Sequence, residues 1–207
     1  MSPARLMRWS GWSLMLGGIA IVGHYLSHPP GETAQFTLYP LWEMSHWLGG
    51  IAWLLVLFGL VGVYLRQSER IGVLGLIGFV LAFAGSALDA GGEVVFGAIM
   101  QPVIAGLAPD WLNATSPFYV SALRPALGVI NLPLVVGFLL LGVVTLRAGV
   151  FPRAASGLVI LVVPIGVAAL ASVGSSFQQV LQILVGLVLG AGLLMWGYAL
   201  LPASHER

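Results

Sequence analysis

The chain has 207 residues, 59% of them hydrophobic and only 7% charged, with a formal net charge of +1. Soluble domains carry about 25% charged residues, so a mean hydropathy of +1.02 leaves too little polar surface to coat a water-soluble globule, and these residues read as an integral membrane protein with essentially no room for a soluble domain. Near-neutral charge removes any electrostatic basis for binding nucleic acid, and the absence of cysteine excludes disulfides, thiolate metal centres, iron–sulfur clusters and cysteine nucleophiles.

A helix needs about 20 apolar residues to cross the hydrocarbon core. The apolar runs predict six spans, at 9–27, 44–65, 71–98, 121–146, 154–174 and 178–201. They are helices because lipid offers no hydrogen-bond partner to an open backbone. No polar alternation suggests a barrel. The fold class is therefore all-α: one polytopic bundle of six transmembrane helices over 1–207. Arg5 and Arg8 before the first run imitate a signal peptide, but a small-residue cleavage site is poorly formed, and the segment is expected to remain as the first span.

All eight cationic residues are arginine. Arg5 and Arg8 precede the first span, Arg66 and Arg70 separate the second and third, Arg147 and Arg153 separate the fourth and fifth, and Arg207 follows the sixth. Short loops rich in Lys and Arg stay cytoplasmic, so both termini are expected inside; Arg124 alone falls on the outer side. Missing lysine beside abundant Ala, Gly, Leu and Arg points to a GC-rich bacterial genome, hence the bacterial cytoplasmic membrane. Tyr25, Trp42, Trp47, Trp111, Phe118 and Tyr119 are expected in an outer aromatic belt, and Trp9, Trp12, Tyr64, Trp196 and Tyr198 in an inner one.

The inner connections predict tight turns at Gln67–Ser68–Glu69 and at 148–152. The outer loops, His28 to Glu43 and roughly 99–120, are longer, Pro-rich, and suited to a small cap. Ala82, Ser86 and Ala90, and the Gly186/Gly190 pair, allow close helix approach, either within the bundle or in a homodimer seam. A faint echo between Gly62…Arg66, Arg70, Gly72 and Gly142…Arg147, Arg153, Gly157 raises the possibility of a parallel duplication.

Ionisable residues inside spans are costly and mark candidate function. His24 and His46 lie near the outer ends of two neighbouring antiparallel spans. Asp89 and Glu93 are four apart, hence on one helix face near the same boundary. Arg124, Asn131, Gln178, Gln179 and Gln182 belong to the same outer end, while the inner half is almost devoid of polar residues beyond its arginines. This describes a polar mouth over an apolar floor and argues against a path through the membrane.

Three readings of the mouth stay open. In the first, His24 and His46 are axial ligands of a b-type haem. In the second, His24, His46, Asp89 and Glu93 hold a divalent metal such as zinc, manganese or iron. In the third the cluster is structural, with Arg124 neutralising Asp89 or Glu93, the histidines hydrogen-bonding loop carbonyls or the acids, and Asn131 and Gln182 completing a polar cluster. His28, Glu32 and Glu43 read as solvated loop residues and His205 as a tail residue. Ser45–His46 and Ser27–His28 place hydroxyls beside imidazoles, but adjacency is not the geometry of a nucleophile and its base.

The chain broadly resembles transmembrane b-type cytochromes as a small, apolar, His-poor bundle, but departs from the di-haem pattern, which needs two histidine pairs at two depths. Through His28-Pro29-Pro30, Leu41-Trp42, His46 and the Tyr64-Leu65-Arg66-Gln67 exit of the second span, it resembles small six-span bacterial membrane proteins of unassigned function. That likeness is organisational and carries over no site residue. The expected role is an accessory or cofactor-holding subunit of a larger membrane complex, with lipid and other subunits as partners. A small transporter or channel, with breaks at Pro133 and Pro164, and an intramembrane enzyme using His46 and an acid are the alternatives.

Overall fold

A computed structural model describes residues 2–31, 33–172 and 177–201; Glu32, His205 and Arg207 lie outside the described residues. Among the described residues all regular structure is helical. Helix α1 (Pro3–Ser27) begins with Pro3 in its first turn, and its Ser2 cap accepts a hydrogen bond from the Arg5 amide at 3.4 Å; both features suit a helix start. A short helix α2 (Ala34–Thr37) follows, then α3 (Trp42–Gly91), which is kinked at Gly72.

Gly72 has φ 54° and ψ −157°, a conformation only glycine adopts readily. There the chain doubles back. Tyr64 stacks on Phe79 with ring centres 4.6 Å apart, Gly50 faces Ala90 and Val94, and the Trp42 indole N–H donates to the Gly97 carbonyl at 2.8 Å. Residues 42–71 and 73–91 are thus two antiparallel arms. The turn expected at Gln67–Ser68–Glu69 is helical instead, because none of those residues interrupts a helix and Gly72 is the first that turns cheaply.

The second arm also outruns its expected end. It passes into a nine-residue π-helical stretch, Gly92–Met100, and then directly into α4 (Gln101–Leu107), which carries Pro102 in its first turn. A 3-10 turn, Pro109–Leu112, packs with α4 and α2 into the small cap. A second π stretch, Tyr119–Leu123, leads into α5 (Arg124–Ala148). Gly149, at φ 64°, ends α5 by donating to the Thr145 carbonyl, and α6 (Arg153–Ala171) and α7 (Gln178–Leu200) complete the chain. Both connections at this end, the one expected at 148–152 included, therefore turn on a left-handed glycine.

Small residues set the packing. Helix α1 lies between the first arm of α3 and α7. Gly17 faces Ala52 and Val56, Gly59 faces Leu14, and on the other side Gly11 and Gly18 approach the carbonyls of Gly197 and Gly190. The Gly186/Gly190 pair is seated against Tyr25, Gly18 and Val22 of α1, within the chain. The second arm crosses α5 through Gly78, Gly85 and Gly137. Close backbone approach of this kind is how helices associate in lipid, where burial of apolar surface supplies no drive.

Four helical stretches are long and apolar enough to cross a membrane: Trp42–Leu107, Tyr119–Ala148, Arg153–Ala171 and Gln178–Leu200. The first is the doubled-back pair of arms. Helix α1, with 25 residues, is not among the four. Large apolar side chains such as Phe58, Val73, Val129 and Leu170 point outward, as a lipid-facing surface requires.

One end of the bundle is basic. Ser10 meets Gly62 and Leu200 there, and Gln67 donates to the Thr145 hydroxyl at 2.8 Å. Exposed Arg5, Arg8, Arg66, Arg70, Arg147 and Arg153 gather around these contacts. The belts are only partly as expected. Trp9, Trp12, Trp47, Trp111 and Tyr198 are exposed, but Trp42 and Trp196 are fully buried. Each has a partner for its N–H inside the bundle, Trp42 at Gly97 and Trp196 at the Ser156 hydroxyl, and that pairing makes burial of an indole tolerable.

Candidate functional site

The end opposite the arginines carries a histidine cluster. His24 is in the last turn of α1 and His28 is its C-cap residue, four positions on and on the same face. His46 is in the first turns of α3, four positions after Trp42. The ring centres of His24, His28 and His46 form a triangle with sides of 5.4, 5.0 and 6.1 Å. Trp42 covers His46 at 4.2 Å. Glu93, from the π stretch, brings a carboxylate oxygen to 3.6 Å from His24 Nε2. Gly49 and Gly97 make the approach possible, Gly49 beneath Glu93 and His24, and Gly97 against the His46 ring.

The three imidazoles are anchored alike, each by Nδ1. His24 Nδ1 lies 2.8 Å from the Ser45 carbonyl, His28 Nδ1 2.7 Å from the Pro29 carbonyl and His46 Nδ1 2.9 Å from the Trp42 carbonyl. A carbonyl only accepts, so each Nδ1 carries the hydrogen and donates it, and in the neutral ring Nε2 carries the lone pair. Anchoring one ring nitrogen on a carbonyl while the other serves as ligand is the usual second layer of a metal site. Among the described residues, however, no group of three or more His, Cys, Asp or Glu side chains meets metal-site geometry as it stands.

Beside the cluster is a chamber of about 220 Å³. Its polar wall includes His28, His46, Asp89, Glu93 and Gln101, and its opposite wall is apolar, from Leu123 to Ile130. Both π-helical stretches border it, through Gly92–Gly97 and through Tyr119 and Leu123. π-Helical backbone is rare and concentrates at functional sites.

The structure thus brings His24, His46 and Glu93 together and places Asp89 on the chamber wall one turn away. It adds His28, for which the sequence predicts a solvated loop position. The signal was the i,i+4 spacing of His24 and His28, matched by Trp42 and His46; it went unused because His28 falls one residue past the end of α1. Glu43 is exposed, as expected.

Arg124 does not join. It is exposed, and the basic side chain beside the Glu93 carboxylate is His24, at 3.6 Å, where Arg124 was anticipated. Asn131 and Gln182 line a different cavity, about 160 Å³, with Tyr25, Trp53, Phe138 and Gln178; the expected polar network is therefore split. Arg124→Leu is expected to unfold in detergent within about 0.5 kcal/mol of Arg147→Leu, as two unpaired surface charges should. A markedly larger loss in Arg124→Leu, by thermal unfolding, would restore the ion pair.

The neighbouring serine and histidine residues form no nucleophile–base pair. The Ser45 hydroxyl donates to the Trp42 carbonyl at 2.8 Å, and the His46 nitrogen nearest to it is the protonated Nδ1, so His46 is no base for Ser45. Ser27 likewise donates to the Gly23 carbonyl. Helices α5 and α6 run on through Pro133 and Pro164 without a break. No protein-family model, curated protein or solved structure matches this chain.

Proposed function

We propose that the protein is a multi-pass subunit of the bacterial cytoplasmic membrane that holds a divalent metal ion in its outward cluster, as an accessory, cofactor-holding component of a larger membrane assembly. The six crossings are α1, the two arms of α3, α5, α6 and α7. The arginine-rich end is cytoplasmic, with both termini, by the bias of short basic connections toward that side.

One observation carries the choice of cofactor. His28 stands 5.4 and 5.0 Å from His24 and His46, which are themselves 6.1 Å apart, so a third imidazole fills the flank that a porphyrin ligated by His24 and His46 would need. His24 is also bonded straight onto the Ser45 carbonyl of α3, which holds the two helices together beside it. The adjoining chamber, about 220 Å³, is below the roughly 300–1,000 Å³ of small-molecule sites. That size favours an ion over a macrocycle.

The test is a visible spectrum, oxidised and dithionite-reduced, together with metal analysis of the gently solubilised protein after loading with zinc. About one equivalent of metal and no Soret band are expected, with the metal lost in His24→Ala and His46→Ala. A Soret band that shifts on reduction would replace the ion with haem, and failure to take up metal would remove the cofactor role.

A further inference from the structure

We propose that His28 is a direct ligand, and that His24, His28, His46 and Glu93 form one closed, four-donor tetrahedral site for a zinc-class ion, which locks the end of α1 to the α3 hairpin. This rests on the metal-holding role above and specifies its ligand set, its ion and its purpose.

The distances suit that arrangement. With metal–nitrogen bonds of about 2.1 Å, imidazole ring centres around one tetrahedral ion stand about 5.3 Å apart, and a nitrogen and an oxygen donor about 3.4 Å apart. The three ring separations are 5.0, 5.4 and 6.1 Å, and His24 Nε2 lies 3.6 Å from Glu93. The donors do not yet converge as they stand, and the His24–His46 edge is the one that must shorten. Closing the site requires the His46 ring to turn about its Nδ1 bond to the Trp42 carbonyl and the Glu93 carboxylate to rotate with it.

The donor chemistry selects the ion. Three nitrogens and one carboxylate oxygen suit zinc and its neighbours, whereas magnesium and calcium require oxygen donors and copper(I) prefers sulfur. Four protein donors leave no open position, as in sites that stabilise a fold. The ligands come from α1, from the start of α3 and from the π stretch, so the ion ties three segments that otherwise meet through Gly49 and Gly97.

The experiment uses the full chain, stripped with chelator and titrated with Zn²⁺ and Co²⁺ in nanodiscs. One equivalent is expected to bind and to raise the thermal midpoint, with the intense visible bands of tetrahedral Co²⁺. Second-layer changes at metal sites cost about 10–100-fold in affinity, so His28→Gln, which removes a donor, should cost about 100-fold or more. His28→Cys supplies a different donor in a chain without other cysteines, and should add a thiolate-to-Co²⁺ charge-transfer band. If His24→Gln and His46→Gln weaken binding while His28→Gln does not, and His28→Cys adds no band, His28 is no ligand but the metal-holding role stands. If the wild type binds neither ion, both fall.

Discussion

Gly137→Ala is expected to destabilise the bundle by about 3 kcal/mol, the upper part of the range for overpacking a tight core. A Cβ at Gly137 would overlap the backbone nitrogen of Ala82 and lie 2.6 Å from the Ala82 Cα and the Leu81 carbonyl carbon. These are backbone atoms, and no side-chain rotation relieves them. The second arm of α3 and α5 would have to separate, and the Gly85 contact, where a Cβ would lie 2.5 Å from Leu134 Cα, would open with them. Thermal unfolding in detergent should place Gly137→Ala far below Gly128→Ala on the same helix, whose Cβ meets nothing within 4 Å. Equal midpoints for the two would mean that α3 and α5 do not cross at this point.

Gly97→Ala should act locally and strike the cluster. Its Cβ would overlap the His46 ring, lying 2.7 Å from Cγ and 2.8 Å from Nε2, so His46 must swing away from the Trp42 carbonyl it donates to. The backbone there is α- or π-helical and accepts alanine without strain, so a global stability loss of about 1–2 kcal/mol is expected. Zinc affinity should fall together with that of His46→Ala. Gly106→Ala, on α4 with open space around it, serves as the control and should leave both properties unchanged. If Gly97→Ala binds metal as the wild type does, His46 is not held where these contacts place it.

What was legible in the chain follows from periodicity and composition. Runs of apolar residues foretold every long helix, because in lipid the backbone has no alternative. The ends were less legible. Gln67–Ser68–Glu69 looked like a turn because they are polar, yet polarity alone does not bend a helix, and the break waits for Gly72. Pro102 reads as a loop residue, yet the helix runs from the π stretch through it into α4. π Geometry has no signature in hydrophobic spacing, so the register that turns Glu93 and Gly97 toward His24 and His46 was invisible. Trp42 and Trp196 were placed at the headgroups by habit of their kind, whereas their N–H partners, Gly97 and Ser156, lie 55 and 40 residues away and follow only from the tertiary fold. Arg124 was paired with the acids because it shares their end of the membrane, but depth does not fix rotation about the helix axis.

The doubling back at Gly72 also bears on synthesis. His24, His28, His46 and Glu93 all precede α5, which begins at Arg124, and the hairpin brings the last of them home by folding two neighbouring arms together. Domains assemble from the N-terminus as the chain emerges. The side chains of the cluster can thus meet before α5–α7 have been made, and those later helices pack onto a hairpin that α1 already contacts.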